Sequence, residues 1–176
     1  MPKTNSYLDL VGLLSKDLES HGFRPTLVGG MALVLMGSPR VTNDFDFLVS
    51  LKDLLVDTVV EVLYKHGFQL ISKFNEKREV LRTIDNPRIA AARLNMDKPA
   101  SAYFYHPQTE LKVDLLFDFP FPASEVAGRA LEIKVKHYTF RVASRDDLIR
   151  MKEIAYSDRK SASDAQDLEF LKGTIK

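Results

Sequence analysis

The 176-residue chain contains no cysteine, no tryptophan and only four histidines. The absence of cysteine excludes disulfide bonds, thiol nucleophiles, iron–sulfur clusters and every zinc site that uses thiolates. The histidines are too far apart in sequence for a local zinc-binding motif: they are His21, His66, His106 and His137. A metal ion in this protein would therefore be held mainly by oxygen ligands.

The chain also lacks a long hydrophobic run and an excess of charge of one sign. Its longest mostly apolar stretch, Leu27 to Gly37, is about half the length that a bilayer requires, and Met1 to Ser6 does not begin a secretion signal. We therefore expect no membrane segment and a cytoplasmic location. The 25 basic and 24 acidic residues give a net charge of +1, which excludes a strongly basic protein that coats nucleic acid but allows a local basic patch.

Hydrophobic periodicity predicts one domain that mixes helices and strands. Helices are predicted over 7–18, 31–36, 51–66, 124–130, 145–155 and 164–171. Strands are predicted over 26–28, 40–50, 68–72, 79–84, 102–105, 110–119 and, as a pair, over 132–142. Segment 88–94 fits a helix or a strand. Because no repeat or long linker interrupts the chain, we expect a single domain over 1–176, with a core over about 5–142 and C-terminal helices over about 144–172.

The predicted strand over 40–50 carries two aspartates, Asp44 and Asp46. Side chains alternate between the faces of a strand, which assigns one face to Arg40, Thr42, Asp44 and Asp46. The opposite face is mostly apolar, with Val41, Asn43, Phe45 and Phe47. Carboxylates two residues apart lie about 6–7 Å from one another, close enough to share divalent cations. A solvated strand face is the alternative, but aspartate is depleted in strands and here interrupts an apolar run.

Gly29 and Gly30 stand between a predicted strand and a predicted short helix. The free backbone N–H groups at a helix N-terminus suit a phosphate, whereas a simple tight turn is the alternative interpretation. The chain has neither G-x-x-x-x-G-K-[ST] nor G-x-G-x-x-G, so nucleotide binding of the Walker or Rossmann type is not supported.

Together, these features form a recognisable pattern: Leu-Val-Gly-Gly at 27–30, a short helix, and Gly-Ser-Pro-Arg-Val-Thr-Asn-Asp-Phe-Asp-Phe at 37–47. The pattern resembles the signature of the DNA polymerase β-like nucleotidyltransferase superfamily. It is most similar to small stand-alone members related to the nucleotidyltransferase-like toxins of type IV toxin–antitoxin pairs. The resemblance implies an α+β nucleotidyltransferase fold, with a mixed β-sheet flanked by helices and followed by C-terminal helices.

The resemblance also implies a third carboxylate on a later apolar strand. Asp114, between Val113 and Leu115, fits this position. Asp118 competes for it, but it stands at the end of the strand before Pro120, where an exposed turn residue is the commoner explanation. We therefore expect Asp114 to be the third acid.

The C-terminal helices resemble those of the toxin-like members. Lys152 falls on the apolar face of a helix that Ser144 and Asp147 would begin as a capping box. It would lie near a phosphate or a carboxylate cluster, unless its stem only covers apolar surface. Asp164 and Asp167 share a face of the last helix and are secondary site candidates directed towards Lys152. Stabilisation of the helix dipole is the alternative for Asp164.

For function, the resemblance implies an enzyme that moves a nucleoside monophosphate from a triphosphate such as ATP to a hydroxyl group. Asp44, Asp46 and Asp114 would be the catalytic residues and would hold Mg²⁺ or Mn²⁺. The nucleotide-binding residues would be Gly29, Gly30, Arg40, Thr42 and Lys152. Many members have serine where Gly30 stands, so Gly30 offers a phosphate only its N–H.

The expected partners are the nucleoside triphosphate, an acceptor that is RNA such as transfer RNA, a protein or a small molecule, and an antitoxin. The alternative is a catalytically inactive nucleotide-binding or protein-interaction module on the same fold. Segment 73–98 has a modest basic excess near Phe74 that would suit RNA or a polyphosphate. We favour an ordinary solvated hairpin there, since the charges are mixed and no aromatic ladder accompanies them.

Overall fold

The structure is a computed structural model that describes residues 4–51 and 56–173. Within these ranges the helices are α1 (Thr4–Ser20), α2 (Gly29–Leu35), α3 (Val56–Lys65), α4 (Pro87–Asp97), α5 (Ala123–Arg129), α6 (Arg145–Arg159) and α7 (Ala162–Leu171). The strands are β1 (Thr26–Val28), β2 (Asp44–Val49), β3 (Gln69–Phe74), β4 (Val80–Ile84), β5 (Ser101–His106), β6 (Leu111–Phe117), β7 (Leu131–Val135) and β8 (Tyr138–Val142). Residues 52–55, where the third predicted helix was expected to begin, lie outside the described ranges.

All of these strands belong to one mixed sheet in the order β4-β3-β5-β6-β2-β1-β8-β7. Near its centre, β2 pairs antiparallel with β1 and parallel with β6. The predicted α+β class with a mixed sheet and C-terminal helices is confirmed. Because β2 lies between two other strands, it has no free edge, and the helices packed against the sheet can bury the side chains on one of its faces completely.

The alternation predicted within β2 is present from Asp44 onward. Phe45 and Phe47 are buried, and their rings stack with centroids 6.5 Å apart. The strand's alternation places Asp44 and Asp46 on the opposite face, where Asp44 is exposed and Asp46 is partly buried. The aromatic face thus fixes the strand in the core and directs both carboxylates to the other side of the sheet.

The prediction that this strand begins at Arg40 is wrong. Residues 40–43 form a loop, and Val41, assigned above to the apolar face, is 95% exposed. The reason lies in the neighbouring strands: β1 ends at Val28, which pairs with Asp46, and β6 begins one residue before the partner of Asp44. Nothing continues the ladder beyond Asp44, so Arg40 and Thr42 do not share a strand face with the two acids.

Side-chain caps fix two of the helix boundaries. The ambiguous segment 88–94 belongs to α4, because Pro87 occupies the first turn and the Asn86 side chain accepts hydrogen bonds from the N–H groups of Arg88 and Ile89 at 2.9 and 3.3 Å. The Ser144 hydroxyl accepts from the Asp147 N–H at 3.2 Å at the start of α6, as predicted.

One hydrophobic cluster joins the sheet to the C-terminal helices. It contains Leu27 of β1, Val113 of β6, Leu148 of α6 and Leu171 of α7, each at most 1% exposed. Burial of Leu148 and Leu171 attaches the last two helices to the same core that holds the central strands. This attachment places α6 beside the face of the sheet that carries Asp46. No helix in the described ranges has both the length and the hydrophobicity needed to cross a membrane.

Candidate active site

Two carboxylates meet at the centre of the sheet. Parallel pairing of β2 with β6 places Asp46 directly opposite Asp114. Burial raises the pKa of Asp114 to about 8, and the negative charge of Asp46 adds to the effect. Burial also raises the pKa of Asp46. The pair therefore retains a proton near neutral pH when no cation is bound.

Asp44, the other aspartate of β2 that was expected at the site, differs from this pair. It is exposed at the first position of β2 and lies opposite Lys112 rather than opposite another acid. Its negative charge nevertheless raises the pKa of both Asp46 and Asp114, so it lies within electrostatic range of them. In the part of the chain that the structure describes, no group of three His, Cys, Asp or Glu side chains is arranged to hold a metal ion.

Asp118, the competitor of Asp114, serves the turn after β6. It has a positive φ of 51°, is exposed, and accepts hydrogen bonds from the Ala123 N–H at 2.8 Å and the Ser50 hydroxyl at 3.2 Å. These contacts occupy its carboxylate in connecting β6 to α5. Of the two candidates, Asp114 is the one that faces Asp46.

The glycine pair allows two side chains to approach the backbone closely. Gly29 has a φ of +67°, and a Cβ atom there would overlap the Asp46 carboxylate. A Cβ atom on Gly30 would lie 2.9 Å from Cζ of Arg40. Both glycines are the first residues of α2, which begins two residues earlier than predicted. Space for Asp46 and Arg40, as well as the tight turn, accounts for glycine at these positions.

Five residues from the loop before β2 and from the C-terminal helices form a group that we call the charge cluster: Arg40, Lys152, Arg159, Asp164 and Asp167. Asp167 is 3% exposed and binds Nη1 of Arg40 at 2.5 Å and Nζ of Lys152 at 2.9 Å. Asp164, 2% exposed, binds Lys152 at 3.3 Å and Nη2 of Arg159 at 3.0 Å. Asp164 and Asp167 therefore point at Lys152, as their shared helix face indicated.

Hydrogen bonding and positive charge together more than offset the cost of burying a carboxylate of the charge cluster. Burial alone would raise the pKa of Asp164, but the hydrogen bond from Ser161 and the charge of Lys152 outweigh it and hold the pKa below its ordinary value.

Thr42 has a local role, since its hydroxyl accepts from the Asp44 N–H at 3.4 Å. The structure thus brings Gly29, Gly30, Arg40 and Lys152 around Asp46, and leaves Thr42 in the loop.

A cavity of about 380 Å³ opens over the acid pair. Asp46, Asp114 and Gly29 line one side, Met151 and Lys152 of α6 line a second, and Tyr103 of β5 lines a third. A cavity of this size fits a small ligand such as a nucleotide. Its lining combines oxygen ligands for a cation, a lysine suited to an anion and apolar surface suited to a flat ring.

Sequence reasoning missed the contribution of β5. Tyr103 lies opposite Asp114 in the antiparallel register of β5 with β6, and Phe74 of β3 contacts its ring edge-to-face with centroids 5.6 Å apart. The alternation of Ser101, Tyr103 and Tyr105 was the available signal. It did not reveal the contact, because Tyr103 and Phe74 are distant in sequence and meet only through the order of strands in the sheet.

The solved structures that the chain matches include nucleotidyltransferases and a protein described as nucleotidyltransferase-like. The chain matches an antigenic nucleotidyltransferase-like protein from Paracoccidioides brasiliensis with a TM-score of 0.64 and 16% identity, over 96% of this chain and 76% of the other. It matches the lincomycin-bound lincosamide antibiotic adenylyltransferase LnuA with a TM-score of 0.57 and 12% identity, over 95% and 97% of the two chains. These likenesses establish the nucleotidyltransferase fold.

The family is established by sequence. A model of the family described as nucleotidyl transferase AbiEii toxin, type IV toxin–antitoxin system, matches residues 9–174. The chain therefore belongs to the AbiEii nucleotidyltransferase toxin family, which confirms the resemblance found in the glycine pair and the aspartate strand. A search of curated proteins finds no match for the chain.

Proposed function

We propose that this protein is a divalent-metal-dependent nucleotidyltransferase that moves a nucleoside monophosphate from a nucleoside triphosphate to a hydroxyl acceptor. One observation carries the proposal: Asp46 and Asp114 face each other across β2 and β6, at the wall of a cavity, with no cation from the protein bonded to either in the described ranges. Charging both of these partly buried carboxylates without a bonded counterion is costly. A divalent cation bound with the substrate would remove that cost.

The donor set fits Mg²⁺ or Mn²⁺. Mg²⁺ is commonly held by one or two carboxylates together with substrate phosphates and water, rather than by a closed cage of protein ligands. Asp46 and Asp114 supply two carboxylates, and Asp44, at the exposed end of β2, would supply a third. The chemistry that the cation supplies when bound is a lower pKa for the attacking hydroxyl and neutralisation of the leaving pyrophosphate.

The other site residues would bind and orient the triphosphate. Gly29 and Gly30 present a backbone without Cβ atoms beside Asp46, so phosphate oxygens could approach their N–H groups closely. Arg40 and Lys152 would contribute positive charge: Lys152 lines the cavity, and Asp167 binds both side chains. Thr42 would act indirectly, because its hydroxyl accepts a hydrogen bond from the Asp44 N–H and so holds the loop that leads into Asp44.

The biological part of the proposal follows from the family. We propose that the protein acts as a toxin restrained by an antitoxin, in the cytoplasm where nucleoside triphosphates are available, on an acceptor that is RNA, protein or a small molecule. The chain would act as one domain, since a single hydrophobic cluster includes both Leu27 and Leu171.

A labelling screen tests the activity. The protein would be incubated with each of the four labelled triphosphates, Mg²⁺ or Mn²⁺, and total RNA or total cell protein. We expect label from at least one triphosphate to appear on a macromolecule. It should be lost in the Asp44→Asn, Asp46→Asn double variant and kept in Asp97→Asn, a matched variant of an exposed aspartate on α4.

The same screen separates the alternatives. Label that never exceeds the level of the double variant would contradict the enzyme proposal. Thermal stabilisation by triphosphate with Mg²⁺ but without turnover would identify an inactive nucleotide-binding relative. A protein that shows neither effect and captures a tight partner would be an interaction module.

A further inference from the structure

Strand β7 forms one edge of the sheet, far from the acid pair in the order of the strands. In the described ranges it pairs only with β8. A free edge presents N–H and C=O groups that can pair with another strand. The side chains of β7 alternate between an apolar face and a charged face: Leu131, Ile133 and Val135 share the first, and Glu132 and Lys134 share the second.

The backbone groups that β7 leaves free are those of Glu132 and Lys134. Hydrogen-bonded and non-hydrogen-bonded pairs alternate along an antiparallel ladder, and the two-residue turn after β7 closes on the pair Val135–Tyr138. Val135 and Ile133 therefore direct their N–H and C=O groups towards β8, whereas Glu132 and Lys134 direct theirs outwards. A strand added antiparallel to β7 would form its hydrogen bonds with those two residues.

The two outward residues have opposite charges and are placed symmetrically about Ile133. Both side chains are exposed, and among the described residues neither forms an ion pair. Arg141, which lies opposite Glu132 on β8, binds Glu19 instead at 3.1 Å. Charges of one sign on an edge strand keep other strands away. Here, a two-fold rotation about Ile133 brings each Glu132 opposite a Lys134, so a second copy of the same strand is attracted.

The apolar face of β7 suits the same partner. Ile133 and Val135 pack against the hydrophobic core, whereas Leu131 is 50% exposed. The two-fold rotation would place each Leu131 opposite the Val135 of the other copy, and the two Ile133 side chains next to each other. This arrangement covers apolar surface that a single copy leaves in water.

The opposite edge of the sheet, β4, lacks this self-complementarity. The ladder between β3 and β4 contains register shifts beside Lys73, and such irregularities protect an edge from further pairing. Pairing of β4 with its own copy along its full length would also place Arg82 against Arg82, and like charges directly opposite one another are unfavourable. Of the two edges, β7 is therefore the one suited to a second copy.

We propose that two copies of this chain associate through β7 in an antiparallel, two-fold arrangement that joins their sheets. Each Glu132 would pair with the Lys134 of the other copy, and hydrogen bonds between their backbone groups would extend the ladder. Association would be independent of the proposed enzyme activity, since no residue of β7 lines the cavity over the acid pair.

Sedimentation equilibrium over a series of protein concentrations measures the dissociation constant of the dimer. Glu132→Lys and Lys134→Glu each replace two attractive pairs with two repulsive ones, so each should weaken association by about 10-fold or more. The double variant, Glu132→Lys with Lys134→Glu, restores both pairs and should dimerise within about 3-fold of wild type. Arg82→Glu, a charge reversal at an exposed position of β4, is the matched control and should leave the dissociation constant unchanged.

Each failure in this series has a defined meaning. A wild-type protein that stays monomeric at the highest concentration reached would overturn the proposal and leave the edge of β7 to a strand of a different protein. A loss in both single variants without recovery in the double variant would overturn the pairing of Glu132 with Lys134. Circular dichroism melting of each variant verifies that it remains folded, so that a loss of association reports the edge.

A cross-link then tests the register, because the chain contains no cysteine of its own. In the proposed arrangement the two Ile133 residues form a non-hydrogen-bonded pair with Cα atoms about 4.5 Å apart, a separation that a disulfide can bridge. Ile133→Cys should give a covalent dimer on mild oxidation in non-reducing electrophoresis, whereas Arg82→Cys should stay monomeric. Equal cross-linking of the two variants would indicate random collision and would overturn the assignment of β7.

Discussion

Two pairs of aspartates occupy neighbouring parts of this molecule under opposite electrostatic conditions. Asp46 and Asp114 project from the central strands towards each other, and burial raises the pKa of both. Asp164 and Asp167 project from α7, and each binds two cationic side chains within 3.3 Å. Among the described residues no cationic side chain is bonded to the first pair, whereas Arg40, Lys152 and Arg159 bind the second.

This difference makes Asp46 and Asp114 suited to binding an added ion, and Asp164 and Asp167 suited to stabilising the fold. A buried carboxylate with bonded cations contributes to the folded state and gains little from an added ion. Two buried carboxylates that face each other destabilise the folded state until a proton or a metal ion joins them. The comparison therefore supports the proposal that a cation binds at the strands, and α7 is the element that holds Arg40 and Lys152.

The largest expected effect comes from Asp46→Asn, which removes one charge of the strand pair. We expect nucleotidyl transfer to fall by at least about 100-fold, because a ligand of the proposed cation is lost. Above pH 8, where the pair has lost its shared proton, we also expect the melting temperature without metal to rise, since the repulsion between Asp46 and Asp114 disappears. Initial rates and thermal melts of the same preparation measure the two effects.

Asp97→Asn serves as the matched control for this variant, because it removes an exposed carboxylate whose contact with Arg93 is 3.7 Å long. Its rate and its melting temperature should both stay close to wild type. A melting temperature of Asp46→Asn below that of Asp97→Asn would show that the strand pair stabilises the fold, contrary to the comparison.

The second prediction concerns Asp167→Asn, which breaks the opposite kind of pair. Stability should fall by about 2–3 kcal/mol, since two partly buried cations lose their shared carboxylate. The KM for triphosphate should rise more than kcat falls, because Arg40 and Lys152 are no longer held in place. Urea unfolding and steady-state kinetics measure these changes, and Asp167→Glu should restore part of both. An unchanged KM for triphosphate would show that Asp167 stabilises the fold but does not position Arg40 and Lys152 for binding.

Much of the strand pair was predictable from sequence, because it depends on local alternation. Phe45 and Phe47 had to be buried, so Asp44 and Asp46 had to face the other way. The family resemblance implied a third acid on a later apolar strand, and the apolar neighbours of Asp114 identified it as that acid. The pairing of Asp46 with Asp114 was not predictable from alternation, since it depends on the register between two parallel strands that are far apart in the chain.

The less regular parts of the site were harder to predict. Arg40 was assigned to a strand because its position fits the alternation, but β1 is too short to pair with that part of the chain. Arg40 therefore lies in a loop, where its side chain reaches Asp167. The contacts of Phe74 and Arg78 with Tyr103 depend on the order of the strands, which no local pattern encodes.

The third prediction is that metal-free protein becomes more stable as the pH falls from about 8 towards 5. The pKa of Asp114 is raised from 3.8 to about 8 in the folded state, so its contribution is fully present below 3.8 and is lost as the pH rises through 8. The lowered pKa of Asp164 acts in the opposite direction, since its contribution disappears only as the pH falls below 3.8.

Thermal melts of wild type and Asp114→Asn between pH 5 and 8 would isolate this effect, because other titrating groups are common to both proteins. Between pH 5 and 8, the melting temperature of wild type should fall by a few degrees more than that of Asp114→Asn. Saturating Mg²⁺ should reduce the wild-type slope, since the cation replaces the proton. Parallel slopes without metal would mean that Asp114 does not carry an elevated pKa.

The smallest expected effect is that of Arg159→Gln, which tests how much each ion pair of the charge cluster contributes to stability. The Arg159 side chain is 65% exposed, whereas that of Lys152 is 13% exposed, although both bind Asp164. Solvent screens the exposed pair, so its loss should cost about 0.5 kcal/mol in urea unfolding. Lys152→Met should cost more, because Asp164 and Asp167 would both lose a partly buried partner. If the two variants were equally destabilised, exposure would not govern the strength of these pairs, and the contrast between α7 and the strands would need another cause.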